Sequence, residues 1–149
     1  MQEKVLQNRK NGMLVLLLCI ALYLAAVAAF VSQLDPTLEE ISDIKTAVSE
    51  AVTNCIVHAY ADSVGQIYIW AGLYEDGGVR IKIRDTGCGI EDVKKAMEPL
   101  YTTLGEERAG LGFAVMESFC DRLGVRSAPG KGTTVTLTKF IKGRIGGDD

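Results

Sequence analysis

The sequence predicts an α+β fold: a two-layer sandwich in which a mixed, mostly antiparallel sheet carries helices on one face. Three observations lead there. The stretch from Pro36 to about Tyr60 repeats apolar residues at spacings of three and four. Two runs, Gln66–Tyr74 and Val79–Arg84, alternate apolar with other residues around a Gly-Gly turn. Helical and strand patterns then interleave to the end of the chain instead of separating into blocks. A length of 149 residues suits one core, and a composition of 48% hydrophobic and 23% charged residues excludes wholesale disorder and a multi-span membrane protein.

Taken from the N-terminus, residues 1–24 form an atypical apolar segment, 25–142 the folded domain and 143–149 a polar tail. No charged residue occurs between Asn11 and Leu34, and Met13 to Val31 is apolar throughout except for Tyr23. This segment fits three readings. A helix of that length, rising ~1.5 Å per residue, comes close to spanning a ~30 Å hydrocarbon core, so membrane contact through 13–31 is one. A helix whose latter half, Ala25 to Leu34, packs on the core is the second, and a mis-assigned start is the third. Lys4, Arg9 and Lys10 precede the segment, and the positive-inside tendency would keep them cytoplasmic and send the residues after Val31 outside.

Asp35-Pro36-Thr37 signals a helix start, with Asp35 as the cap, Pro36 in the first position, and Glu39 and Glu40 near the positive end. Ile41, Ile44, Val48, Val52, Cys55 and Ala59 form its apolar stripe, directed at a sheet. Glu50, Asn54 and His58 recur every four residues and stack along a neighbouring edge. In the hairpin after this helix, Ile67, Ile69, Ala71 and Leu73 share a buried face with Val79, Ile81 and Ile83, while Arg80, Lys82 and Arg84 point to water. A second helix is expected over about Glu91 to Pro99. A third begins near Leu111 and ends before Gly124, a C-terminal glycine, and strands over about Gly124–Ser127 and Thr133–Phe140 close the domain.

A formal net charge of −3 and a pI near 5.2 argue against direct nucleic-acid binding, which draws on clustered Lys and Arg. Cys19, Cys55, Cys88 and Cys120 are widely spaced, with neither a disulfide framework nor zinc-binding pairs, as a reducing cytosol allows.

Three loops carry glycines where backbone passes close to something. Asp85-x-Gly87-x-Gly89 follows a strand directly and sets a carboxylate at its end. Gly110-Leu111-Gly112 opens a helix, where free N–H groups and the dipole favour a phosphate. Gly130-x-Gly132-Thr133-Thr134 precedes the last strand, and the polar stretch from Thr102 to Ala109, which includes Thr103 and Arg108, has the character of a flap. Each alone is an ordinary turn or helix start.

Together with Glu50-x3-Asn54-x3-His58 they resemble, in order and distance, the four nucleotide-binding boxes of the GHKL superfamily, whose fold is the Bergerat ATP-binding sandwich. Val27-Ala28-Ala29-Phe30-Val31-x-Gln33-Leu34-Asp35-Pro36-Thr37, Glu50-Ala51-Val52-Thr53-Asn54 and Pro99-Leu100-Tyr101-Thr102-Thr103 narrow the resemblance to the anti-sigma F factors, as does Gly110-Leu111-Gly112-Phe113.

That resemblance implies ATP and Mg²⁺ as ligands, with Asn54 holding the metal and Glu50 as the base for a substrate serine. It implies that Asp85, supported by Thr134, accepts the adenine amino group, with Gly87 and Gly89 passing the base. The amides of Gly110, Leu111 and Gly112 would cradle phosphates and Arg108 would meet the γ-phosphate. Thr102, Thr103, Gly132 and Thr133 belong to the same nucleotide-binding set. The implied partners are a sigma factor of the sigma F type, an anti-anti-sigma protein as the phosphorylated substrate, and a second copy of the chain, all in the cytoplasm. The family's first strand and charged helix start, which contribute to the dimer and sigma surfaces, are replaced here by the apolar Met13–Ala26. Two other readings stay open: an ATP hydrolase with Glu50 activating water, and a noncatalytic ATP-gated module that sequesters a sigma factor.

Overall fold

A computed structural model describes residues 2–61, 63–98 and 111–143, with side chains from residue 12 onward. Helix α1 spans Gln2–Val31 and leads through a 3₁₀ turn, Ser32–Leu34, into α2, Leu38–Asn54, which continues as a π-turn, Cys55–Ala59. Strands β1 (Ile67–Leu73) and β2 (Gly78–Asp85) form the hairpin, followed by α3 (Val93–Ala96), α4 (Gly112–Phe119), β3 (Arg122–Ser127) and β4 (Thr133–Phe140). The four strands pair antiparallel in the order β1-β2-β4-β3.

Register explains the core. Ile69, Ile83, Val135 and Val125 stand in one row across the sheet, and Ala71, Ile81, Leu137 and Leu123 in the next. On this face pack Ile44, Ala47, Val48, Ala51 and Val52 of α2, Met116 of α4, and Val27 and Val31 of α1. Ala47 and Ala51 lie outside the expected stripe yet are completely buried, and their small side chains bring α4 and α1 close to α2. Burying such methyl-rich surface is the main stabilising term, roughly 25 cal/mol per Å².

Several expectations are corrected. Thr37, not Asp35, caps α2: its Oγ1 accepts the Glu40 N–H at 3.1 Å while Glu40 Oε2 accepts the Thr37 N–H at 2.8 Å. This reciprocal box satisfies two N–H groups where Asp35 could satisfy one, and Pro36 keeps Asp35 out of the right-handed helix; it sits at φ 48. Helix α3 is a single turn capped by Asp92, not a helix over Glu91–Pro99, and Pro99 falls outside the described residues. Gly124 lies inside β3, opposite Thr136, because α4 ends at Phe119 and the Asp121 N–H already bonds the Thr138 carbonyl. Ala71 is exposed because β1 is an edge strand and α2 covers the β2–β4 centre.

Helix α1 bears on two of the three N-terminal readings. Its end packs as the buried-helix reading expects, with Val31 fully buried and Tyr23 and Leu24 against the core. Its first half stands off the domain with Met13 to Leu18 and Leu22 exposed, and Gly12–Leu34 has the length and mean hydropathy, 2.9, of a membrane-crossing helix.

Candidate active site

At one end of the sandwich the edge of α2, the π-turn, the loop after β2, α3, the start of α4 and the start of β4 surround a cleft of about 1070 Å³. That volume lies just above the usual range of small-molecule sites, about 300–1,000 Å³.

The floor of the cleft is built on Asp85, which ends β2 and is 2% exposed. Its Oδ1 accepts the N–H of Gly87 at 2.9 Å and of Thr133 at 3.2 Å, and the Cys55 thiol donates to Oδ2 at 3.6 Å. Burial, reinforced by the Asp85 charge and that hydrogen bond, pushes the Cys55 thiol up to about 12, so it remains a donor. A buried carboxylate is tolerated when hydrogen bonds replace its water, and Oδ2 keeps a lone pair for a further donor.

The loop carrying Asp85 is pinned from two sides. Tyr60, at the end of the π-turn, donates its hydroxyl to the Gln66 carbonyl at 2.6 Å and accepts the Thr86 N–H at 2.8 Å, and the Cys88 N–H bonds the Ala59 carbonyl at 3.3 Å. From the other side the Gly130 N–H bonds the Cys88 carbonyl at 2.7 Å. Gly87 presses on Ala59, and Gly89, at φ +74, presses on the Ala128 carbonyl. The close approach that the motif predicts is thus to the backbone of Ala59 and Ala128, and the passing of a base stays what the resemblance implies. Gly132, at φ +77, lies against the Asp85 carbonyl, so a side chain there would displace the aspartate itself.

At the other side of the cleft, α4 begins beside the polar edge of α2. A Cβ on Gly112 would sit 3.2 Å from Asn54 Oδ1 and 3.4 Å from Glu50 Oε2, so the absence of a side chain brings a helix start next to both. Of the residues expected from sequence, Glu50, Asn54, Asp85, Gly87, Gly89, Gly112, Gly132 and Thr133 thus gather at this one end. Leu111 precedes α4 and is exposed. Thr134 is corrected: strand alternation puts Thr133 on the cleft side and Thr134 on the opposite sheet face. Thr102, Thr103, Arg108 and Gly110 lie outside the described residues.

Four contributors escaped sequence reasoning. Cys55 counted only as a core residue, and the thiol's second role emerges only when β2 is laid under α2. Tyr60 has no motif, and its sole signal is a hydroxyl at a helix end. Lys94 and Lys95 of α3 line the cleft beside Glu91 and Asp92, two cations against two carboxylates. Among the described residues no group of three His, Cys, Asp or Glu side chains converges, so a divalent ion here would combine Asn54 Oδ1 with oxygens of a bound ligand.

A sandwich with a buried strand-end carboxylate, a Glu/Asn helix edge and a helix start facing one cleft is a nucleotide-binding architecture. The family model described as a histidine kinase-like ATPase domain matches residues 20–139. The anti-sigma F factor of Caldanaerobacter subterraneus subsp. tengcongensis is 63% identical over 116 residues, covering 77% of this chain and 80% of the relative. That of a Thermoanaerobacter species is 60% identical over 116 residues with the same coverage. The histidine kinase domain from the Erythrobacter litoralis EL346 blue-light activated histidine kinase superposes with a TM-score of 0.55 at 20% identity, over 82% of this chain and 61% of that one. This chain spans less than two thirds of that structure, and the likeness is one of fold. The chain belongs to the histidine kinase-like ATPase domain family and, within it, to the anti-sigma F factors.

Proposed function

We propose that the chain is an anti-sigma factor and an ATP-dependent protein serine kinase. It would hold a sigma factor of the sigma F type in its ATP form and phosphorylate a serine of an anti-anti-sigma partner, acting as a homodimer in the cytoplasm, where ATP and sigma factors occur. Domain 25–142 carries the activity, and the exposed first half of α1 is the part available for membrane contact.

One observation supports the chemistry above the rest: Gly112 at the start of α4 abuts both Asn54 Oδ1 and Glu50 Oε2. Phosphates held at that helix start by the amides of Leu111 and Gly112 lie beside a metal ligand and a base, and Gly110 joins this cradle by resemblance alone. Asp85 Oδ2 accepts the adenine amino group across the cleft, with Thr133 taking the supporting place expected of Thr134. Mg²⁺ held by Asn54 would offset phosphate charge. Glu50 takes the serine proton as the hydroxyl oxygen bonds the γ-phosphorus and the β–γ bridging P–O bond breaks, leaving ADP and phosphoserine. Arg108, Thr102 and Thr103 are assigned to the γ-phosphate side by resemblance alone.

Incubation with γ-labelled ATP and a serine-bearing anti-anti-sigma protein tests this reading. Label is expected on the partner's serine. Retained ATP binding without transfer would support the noncatalytic sequestering module, and steady phosphate release without an acceptor would support the hydrolase.

A further inference from the structure

The sheet face turned away from the helices has a character that the cleft does not explain. Its rows are Tyr68-Arg84-Thr134-Arg126, Trp70-Lys82-Thr136-Gly124 and Gly72-Arg80-Thr138-Arg122. Five exposed cations thus stand in two columns, Arg80, Lys82 and Arg84 on β2 and Arg122 and Arg126 on β3. Between them β4 contributes only threonines, a shallow trough floored by small polar side chains. The columns lie two strand spacings apart, ~9.6 Å; the β2 cations repeat every ~6.8 Å, and Arg122 and Arg126, with Gly124 between them, lie ~13.6 Å apart.

The cations are held apart. Arg80 stacks on Tyr74 at 4.2 Å, Lys82 over Trp70 at 5.6 Å and Arg122 over Phe140 at 5.6 Å. Stacking fixes each side chain while its N–H edges stay open to an anion. The three rows themselves carry no carboxylate, Asp76 reaching the face only at its Gly78–Phe140 end, and among the described residues none of the five cations is in an ion pair. Tyr68, Trp70 and Tyr74 are 41–49% exposed on the same face.

We propose that this face docks an acidic segment of a partner protein, extended along β4 between the two columns of cations. An extended segment with a carboxylate at every second residue repeats at ~6.8 Å, the spacing of Arg80, Lys82 and Arg84. Charge selects this occupant over two others. Two copies of the chain stacked face to face would set five cations against five. A nucleic acid extends past the patch, and a chain of net charge −3 repels it there, whereas a short acidic segment meets the patch alone. The proposal does not depend on what the cleft binds.

Trp70 is the chain's one tryptophan and lies in the patch, so its emission reports occupancy directly. The full chain is titrated with an end-blocked peptide of alternating Glu and Thr, a control peptide of alternating Gln and Thr, and an oligothymidylate of similar length. A saturable change is expected with the Glu peptide only, about tenfold weaker when salt is raised from about 50 to about 500 mM. It is expected to weaken at least about tenfold in Arg84→Glu/Arg126→Glu and, as a milder check on folding, in Arg84→Gln/Arg126→Gln, with the melting midpoint and Mg·ATP uptake unchanged. No saturable change, an equal response to the Gln peptide, or unaltered binding by both variants would overturn the proposal. So would tighter binding of the oligothymidylate, which marks a nucleic-acid face, or self-association abolished by the same substitutions, which marks an interface between copies.

Discussion

The thiol of Cys55, one residue past Asn54 on the same helix, donates to Asp85 Oδ2 at 3.6 Å and so ties the helical layer to the strand end that floors the cleft. The link depends on protonation. Burial first, then the Asp85 charge, raise this thiol from 9.0 to about 12. Because its folded value exceeds the unfolded one, its stabilisation is complete below pH 9 and is lost as pH rises toward 12. The full loss is on the order of 4 kcal/mol. Cys120, raised by burial to about 11, adds in the same direction. Alkaline unfolding curves are expected to steepen above pH 9, and a Cys55→Ala variant to show a shallower decline.

Exposure separates the four thiols. Cys19 and Cys88 are exposed, whereas Cys55 is buried and Cys120 partly so. Iodoacetamide at pH 8, read by mass spectrometry, is expected to label Cys19 and Cys88 well before the other two. If Mg·ATP fills the cleft that Cys88 borders, saturating nucleotide is expected to slow labelling of Cys88 and leave Cys19 unaffected.

Glu50→Gln keeps the shape of the α2 edge and removes a base. Transfer to the serine partner is expected to fall by about 10²–10⁴, with ATP affinity within a few-fold of the original. Equal loss of binding and transfer would assign Glu50 to binding instead.

Gly112→Ala separates site from scaffold. Alanine favours a helix over glycine by up to about 1 kcal/mol, so the melting midpoint is expected to hold or rise. The added Cβ, 3.2 Å from Asn54 Oδ1 and 3.4 Å from Glu50 Oε2, is expected to cut transfer by more than about tenfold. By contrast Gly132→Ala, forced against the Asp85 carbonyl at positive φ, is expected to lose stability and nucleotide binding together.

The two halves of α1 are expected to respond differently. Val31→Ala opens space in the core and costs about 2 kcal/mol or more by chemical denaturation. Leu17→Ser and Leu18→Ser, on the exposed half, are expected to change stability by less than about 0.5 kcal/mol.

Much of this arrangement was legible in the chain because local patterns carried it. Alternation located the hairpin and β4, and spacing of three and four located α2. The order of the Glu50, Asp85, Gly110 and Gly130 motifs brought out the cleft. What escaped was decided by partners distant in sequence. The Thr37–Glu40 box displaced Asp35, and the Asp121–Thr138 hydrogen bond drew Gly124 into a strand. The motif shows that Gly87 and Gly89 pass close to something but not that the neighbours are Ala59 and Ala128, and the cleft-facing role of Cys55 has no local signal. Thr133 and Thr134 carry the same side chain, so only the pleat of β4 tells them apart.

The central claim is that Asp85 and the Glu50–Asn54 edge address opposite ends of one adenine nucleotide. Calorimetric titration of the unaltered chain with Mg·ATP and Mg·GTP, repeated on Asp85→Asn, tests it most directly. The expected result is one ATP per chain, GTP bound at least about tenfold more weakly because guanine presents an acceptor to Asp85, and ATP weakened by a similar factor in the variant. No uptake of ATP, or equal affinity for both nucleotides that Asp85→Asn leaves unchanged, would contradict it.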